Sequence, residues 1–256
     1  TLMRSSAASD VYKRQIYDII SAFYKALEVC IMLKRTITAE LIKKFNELLI
    51  KILEYKKNKN YDEALDSIDT AFKDMFRLSL KFFNSFSVEN LMEIVKINGT
   101  VNTDKCIIVA KLLEEEGNIL ETQNKLDYSF YIHQKSLHLF LNAYLGKTDD
   151  CKLEIYFSDI DSIINKISQY KLTHELQNQI INYYTSCHKY DKAEDMVYEI
   201  LQENNYSTEF LKYSIEFYKN LLLKDDSELS AGNLPRQEIL DSLSSLTSRL
   251  QSSGNI

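Results

Sequence analysis

Apolar residues recur along most of the chain at three- and four-residue intervals, the spacing that gathers them on one face of an α-helix. The clearest run is Asn60 to Phe76, with Tyr61 at its entry, small residues at Ala64 and Ala71, Ile68 between them, and acids on the outward side. Variants return as Leu126-Asp-Tyr-Ser129 leading to His133 and Ser136, and as Tyr190-Asp-Lys-Ala193 leading to Val197 and Ile200. Successive copies start 65 and 64 residues apart, roughly the length of two helical hairpins.

Around these copies the pattern predicts a nearly continuous series of helices. Ile16, Ile19, Ile20, Phe23, Leu27 and Ile31 mark a first amphipathic helix, and Thr36 to Glu40 offers a hydroxyl cap for a second that reaches Lys57. The third is expected to run on to about Asn84, and the fourth from Ser87 to about Ile97. Asn98-Gly99 is the strongest turn signal in the chain and predicts a loop to Asn102. Thr103 and Asp104 cap a fifth helix to about Gln123. Gly117 inside it costs roughly 1 kcal/mol against alanine, so close approach of a neighbouring helix is expected there. The sixth helix spans Leu126 to Leu145 and stops at Gly146. The seventh covers about Cys151 to Tyr170, Thr173 opens the eighth, and the third copy is the ninth. A tenth runs from Ser207 to about Leu223. Residues 224–234 break the pattern and read as a linker, and Pro235 opens a last helix with Ile239, Leu240, Leu243, Leu246 and Leu250 in one stripe, to about residue 251. The final residues, 252–256, should fray.

Composition narrows the class. Five glycines and one proline in 256 residues are too few for a turn-rich β protein or for a dinucleotide-binding α/β enzyme, which leaves all-α. A net charge of −6 opposes nucleic-acid binding, whose phosphate contacts need a concentrated basic surface. The basic run Lys56, Lys57 and Lys59 sits at a predicted helix end, where cations complement the dipole. Cys30, Cys106, Cys151 and Cys187 lack Cys-x-x-Cys spacing and read as reduced thiols of a cytosolic protein. The first fifteen residues resemble translated sequencing-adapter read-through and stand outside the pattern as a non-native or disordered leader. The apolar run behind them is interrupted by Asp18, Lys25 and Glu28, so neither an export signal nor a membrane span is expected.

These residues resemble the tetratricopeptide repeat, in which a helix with Gly-x-x-Tyr spacing precedes one with a tyrosine, a small residue three later and two further packing positions. Ile52 and Tyr55 precede Tyr61, Ala64, Ile68 and Ala71; Gly117 and Leu120 precede Leu126, Ser129, His133 and Ser136; Ile181 and Tyr184 precede Tyr190, Ala193, Val197 and Ile200. The glycine occurs once in three copies and no closing proline appears, so a divergent member is implied. The runs Tyr-Asp-Glu-Ala-Leu, Leu-Leu-Glu-Glu-Glu-Gly and Tyr-Asp-Lys-Ala-Glu-Asp also resemble an uncharacterised domain-of-unknown-function family of low-GC Gram-positive bacteria. The resemblance implies antiparallel hairpins stacked as a right-handed α-solenoid of 10–11 helices over residues 16–223.

Candidate chemistry is sparse. No phosphate loop, nucleophile elbow or metal-protease motif is present. His133 falls on a packing position, His138 lies five residues on, the wrong spacing for paired ligands, and Cys187-His188 point about 100° apart on a helix. Glu114 to Glu116 read as a solvated acidic face. No catalytic residue, cofactor or metal is expected. Asn178 and Asn182, four apart on the eighth helix, would project together into a tetratricopeptide-like groove and hold a peptide backbone or C-terminal carboxylate. The expectation is a non-enzymatic protein- or peptide-binding scaffold in the bacterial cytoplasm, with a peptide-sensing regulator as the alternative and a cryptic enzyme as the second.

Overall fold

A computed structural model of the protein describes residues 25, 32, 36–97, 99–147 and 150–253. The expected first helix and the leader lie outside the described residues, apart from Lys25 and Met32, which are helical. The described chain is almost entirely helical, and it divides after Ile108 into two compact units.

The first unit holds α1 (36–57), α2 (Tyr61–Phe76), α3 (Leu80–Ser85), α4 (Val88–Ile94), two strands and the start of α5 (Thr103–Thr122). Phe45, Leu49 and Ile52 recur at helical spacing on α1 and are buried, as are Ala64, Ile68, Ala71 and Phe72 on α2. The expected third helix is broken: Arg77 turns left-handed at φ 63° and its N–H caps the Lys73 carbonyl. The chain then folds back because Asp69 accepts the Leu80 N–H at 2.8 Å, Ser79 caps α3, and Phe83 stacks on Phe72 at 4.1 Å. The loop expected at 98–102 is in part a small antiparallel hairpin, β1 (Lys96–Ile97) against β2 (Thr100–Val101), with Gly99 at φ 77°. The Asn102 side chain then fixes the first turn of α5 by accepting the Lys105 N–H at 2.8 Å.

The second unit holds the rest of α5, α6 (Leu126–Leu145), a 3₁₀ segment (Glu154–Asp159), α7 (Ile160–Ile167), α8 (His174–Ser186), α9 (Tyr190–Glu203), α10 (Thr208–Leu221), α11 (Asp226–Ala231) and α12 (Arg236–Ser253). Local signals account for several boundaries. Thr173 accepts the Leu176 N–H as an N-cap, and Ile160, Ile163, Ile164 and Ile167 form the buried stripe of α7. The expected seventh helix is thus shorter and opens as 3₁₀. Gly146 ends α6 without a left-handed turn, at φ −102°.

Residues 224–234, expected as a linker, form α11 and its flanks. Leu229 and Leu234 are fully buried, and Arg236 donates to the carbonyls of Leu222 and Lys224. Burial of two leucines outweighs the acidic, serine-containing sequence that suggested a break.

Candidate functional site

In the second unit, the small positions of the middle repeat copy let α6 press onto α5. Ser129 donates to the Gly117 carbonyl at 2.9 Å and Ser136 to the Ala110 carbonyl at 2.7 Å, both buried. A Cβ on Gly117 would lie 2.6 Å from the ring of His133, which supplies the reason for that glycine. His133 is buried, with its Nε2 3.9 Å from Glu121.

Beside this contact opens a small, shallow cleft whose interior has room for little more than a water molecule. Leu126, Ser129, Phe130 and His133 of α6 form one wall, Glu121 of α5 another, and Lys166, Ile167, Gln169 and Tyr170 the third. Lys166 donates to Glu121 and, at 2.7 Å, to Asn118. That hydrogen bond to Glu121, more than the nearby positive charge, holds the Glu121 carboxyl below the usual carboxylate range. Phe130 meets Tyr170 at 4.4 Å and Tyr131 at 5.6 Å. The same two turns of α6 leave Leu126, Tyr128 and Tyr131 exposed, at 48, 71 and 60 %. The arrangement offers aromatic ring edges beside one ion pair at a shallow, solvent-open surface, which suits a surface contact with a partner better than a chemical step. The serine hydroxyl in its wall, that of Ser129, is already committed to Gly117.

A second cluster lies within the same unit. Lys111 on α5 reaches Glu114 at 2.8 Å, Glu115 at 3.0 Å and Asp159 of the 3₁₀ segment at 2.9 Å, with the Tyr156 ring 5.6 Å away. Glu114, Glu115 and Glu116 are 7, 3 and 4 % exposed, so the acidic run is not the solvated face its sequence suggests. Burial pushes the Glu114 carboxyl up to about 7, with Lys111 opposing and Asp159 and Glu115 adding. Burial also works against the Lys111 charge, but its carboxylate neighbours outweigh that and hold the ammonium above its usual range. Lys111 was readable as the partner, standing three and four residues before Glu114 and Glu115. Among the described residues, no group of three or more histidine, cysteine or carboxylate side chains is placed to hold a metal ion.

Asn178 and Asn182 stand on the outer side of α8, half-buried and exposed, while Leu176, Gln177, Ile180, Ile181, Tyr183 and Tyr184 are buried. Neither amide lines the cleft. The repeat positions Ala64, Ala71, Gly117, Ser129, Ser136, Tyr184, Tyr190, Ala193 and Val197 are buried, Tyr55, Tyr61 and Leu120 are half-buried, and Leu126 is exposed. Cys187 and His188 face different partners: Cys187 Sγ lies 3.1 Å from the Tyr144 hydroxyl, and His188 Nδ1 3.0 Å from that of Tyr190. His138 meets Gln179 at 2.8 Å.

Among the described residues, no helix is long and apolar enough to cross a membrane. Comparison with curated proteins and with solved structures finds no match. Residues 32–251, which reach into both compact units, match the model of a family of unknown function, DUF6483, and the chain belongs to that family.

Proposed function

We propose that the second unit is a protein- or peptide-binding scaffold built from divergent tetratricopeptide-like hairpins, acting in the bacterial cytoplasm without a catalytic step of its own. The observation that carries this reading is the exposure of Leu126 in the wall of the Phe130–Tyr170 cleft, on the turns of α6 that also expose Tyr128 and Tyr131 on another face. Large apolar side chains on a helix that is otherwise well packed have a cost in water, and tyrosine is over-represented among residues that anchor interfaces. Lys166 and Glu121 at the cleft's edge would orient a bound backbone or side chain. The charge of −6, with Lys166 already paired to Glu121, favours a polypeptide over a nucleic acid.

The test is selection from a random peptide display library on the full chain, followed by calorimetry of an enriched peptide. Loss of a central aromatic anchor costs about 2 kcal/mol, roughly thirtyfold in affinity. Tyr170→Ala should therefore weaken the peptide by about that factor, while the Asn178→Asp/Asn182→Asp pair leaves it unchanged. Weakening by the asparagine pair alone would move the groove to the outer side of α8. Failure to enrich any peptide would sink the scaffold reading for this unit.

A further inference from the structure

Of the 18 residues of α12 only Ile239 and Leu246 are buried, whereas α9, with 14 residues, buries seven. What α12 covers is also costly to cover. Glu194 of α9 lies in the seam, 9 % exposed, and its Oε1 accepts from the Tyr218 hydroxyl of α10 at 2.7 Å and from Ser242 of α12 at 3.4 Å. The Tyr198 hydroxyl meets Ser242 at 3.2 Å. These partners are all hydroxyls, and the charges that act on Glu194 are carboxylates, Glu238 of α12 and Asp195 beside it. A carboxylate shut away from water without a cation opposes the element that shuts it away, and α12 carries one of the repelling charges with it. At its far end α12 is held by Arg249, whose guanidinium lies 3.6 Å from the ring centre of Tyr206, a residue at φ 54°, which bulky side chains rarely adopt. The near end is the fixed one: Leu234 is buried and Arg236 donates to the carbonyls of Leu222 and Lys224. We infer that α12 is a detachable strap, which lifts from its far end while α8, α9 and α10 stay folded, and which bares Glu194, Tyr198 and Tyr218 as it lifts.

Lifting α12 exposes two apolar side chains and breaks the Ser242 contacts. In return it gives the Glu194 carboxylate back to water and draws Glu238 away from it. Burial holds that carboxyl above its usual range, against the Tyr218 hydrogen bond and with Glu238 adding, which is the mark of a charge that the closed seam disfavours. The helices beneath keep ties that do not involve α12. Tyr218 still joins α10 to α9 through Glu194, and Gln177 of α8 donates to Glu203 at the end of α9 at 3.1 Å. Tyr190 at the start of α9 is held by Glu228 of α11. An element with few buried contacts opens at a lower free energy than the elements it rests on, and here the contrast lies between neighbouring helices of one unit.

The test is amide hydrogen exchange of the full chain under native conditions, followed at rising but sub-denaturing urea and read at residues 243–250 of α12 and 193–201 of α9. In the wild type, residues 243–250 should be less protected by on the order of a hundredfold. Their opening should also depend less steeply on urea, because it exposes less surface than unfolding of the whole unit. Leu246→Glu sets a charge into the seam and releases the strap, so residues 243–250 should lose protection altogether while 193–201 keep theirs. A single opening shared by both stretches in the wild type overturns the inference. So does a Leu246→Glu chain that keeps protection at 243–250, loses it at 193–201 as well, or fails to fold.

Discussion

The α5–α6 contact and the α9–α11 contact are each closed by a ring lying where a glycine has no side chain, yet only one of the two glycines announces itself in the sequence. Gly117 sits inside a long helix, faced by the ring of His133. Gly232 follows α11, where a Cβ would overlap the Tyr190 ring and lie 2.6 Å from the His188 carbonyl oxygen. A glycine within a helix costs stability and so demands an explanation. A glycine in a stretch already read as a break demands none, and the segment's packing role stays hidden. The difference teaches that a glycine's meaning depends on the element around it: the same lack of a side chain supports a close contact in both places.

The sharpest way to break this comparison is to treat residues 224–234 as the linker they resemble and remove their buried anchor. Leu229→Ala would then cost almost nothing. Because Leu229 is fully buried, a loss of about 3 kcal/mol is expected instead, from lost transfer energy plus the cavity left behind. Denaturant unfolding of the full chain reads this directly, and a loss below about 0.5 kcal/mol would return the segment to the status of a linker. Gly232→Ala comes next, with about 2 kcal/mol expected from overpacking. Here the obstacle includes backbone, which cannot swing aside, and the segment is further held by Asp191 N–H donating to the Gly232 carbonyl at 3.2 Å and by His188 and Tyr190 around Glu228. A neutral result would mean that α11 shifts freely over α9.

The sequence makes the helices with local start signals legible. Thr173 caps α8 through its hydroxyl, Tyr190 begins α9, and α5 and α6 end within a residue of their expected limits. What it hides depends on partners distant in sequence. The break after Phe76 rests on Arg77 adopting a left-handed turn, for which arginine has no special preference, and on Phe83 reaching Phe72 only once the chain has turned. The 3₁₀ opening before α7 rests on Lys111, 48 residues upstream, taking the Asp159 carboxylate. The site is less legible than the fold. Burial of Glu114 is decided by what packs over it, not by its neighbours in sequence, and the exposure of Tyr128 and Tyr131 sits on a helix whose later turns are buried nearly all round.

Gly117→Ala is the smallest effect and the most informative, because two opposed terms of similar size meet there. Alanine gains about 1 kcal/mol of helix propensity over glycine. Against this, its Cβ would stand 2.6 Å from Cε1 and 3.0 Å from Cγ of His133, so the whole ring must move, and the Ser129 hydrogen bond to the Gly117 carbonyl resists any widening between α5 and α6. Overpacking a filled site costs about 1–3 kcal/mol, which leaves a net loss of about 1 kcal/mol. A His133→Ala background separates the terms. With the ring gone the clash disappears and the propensity gain remains, so Gly117→Ala should stabilise that variant by up to about 1 kcal/mol, a reversal of sign that unfolding measurements on the four chains of the cycle would reveal. If alanine at residue 117 destabilises both backgrounds equally, the glycine answers to something other than His133, and the correspondence between Gly117 and Gly232 fails.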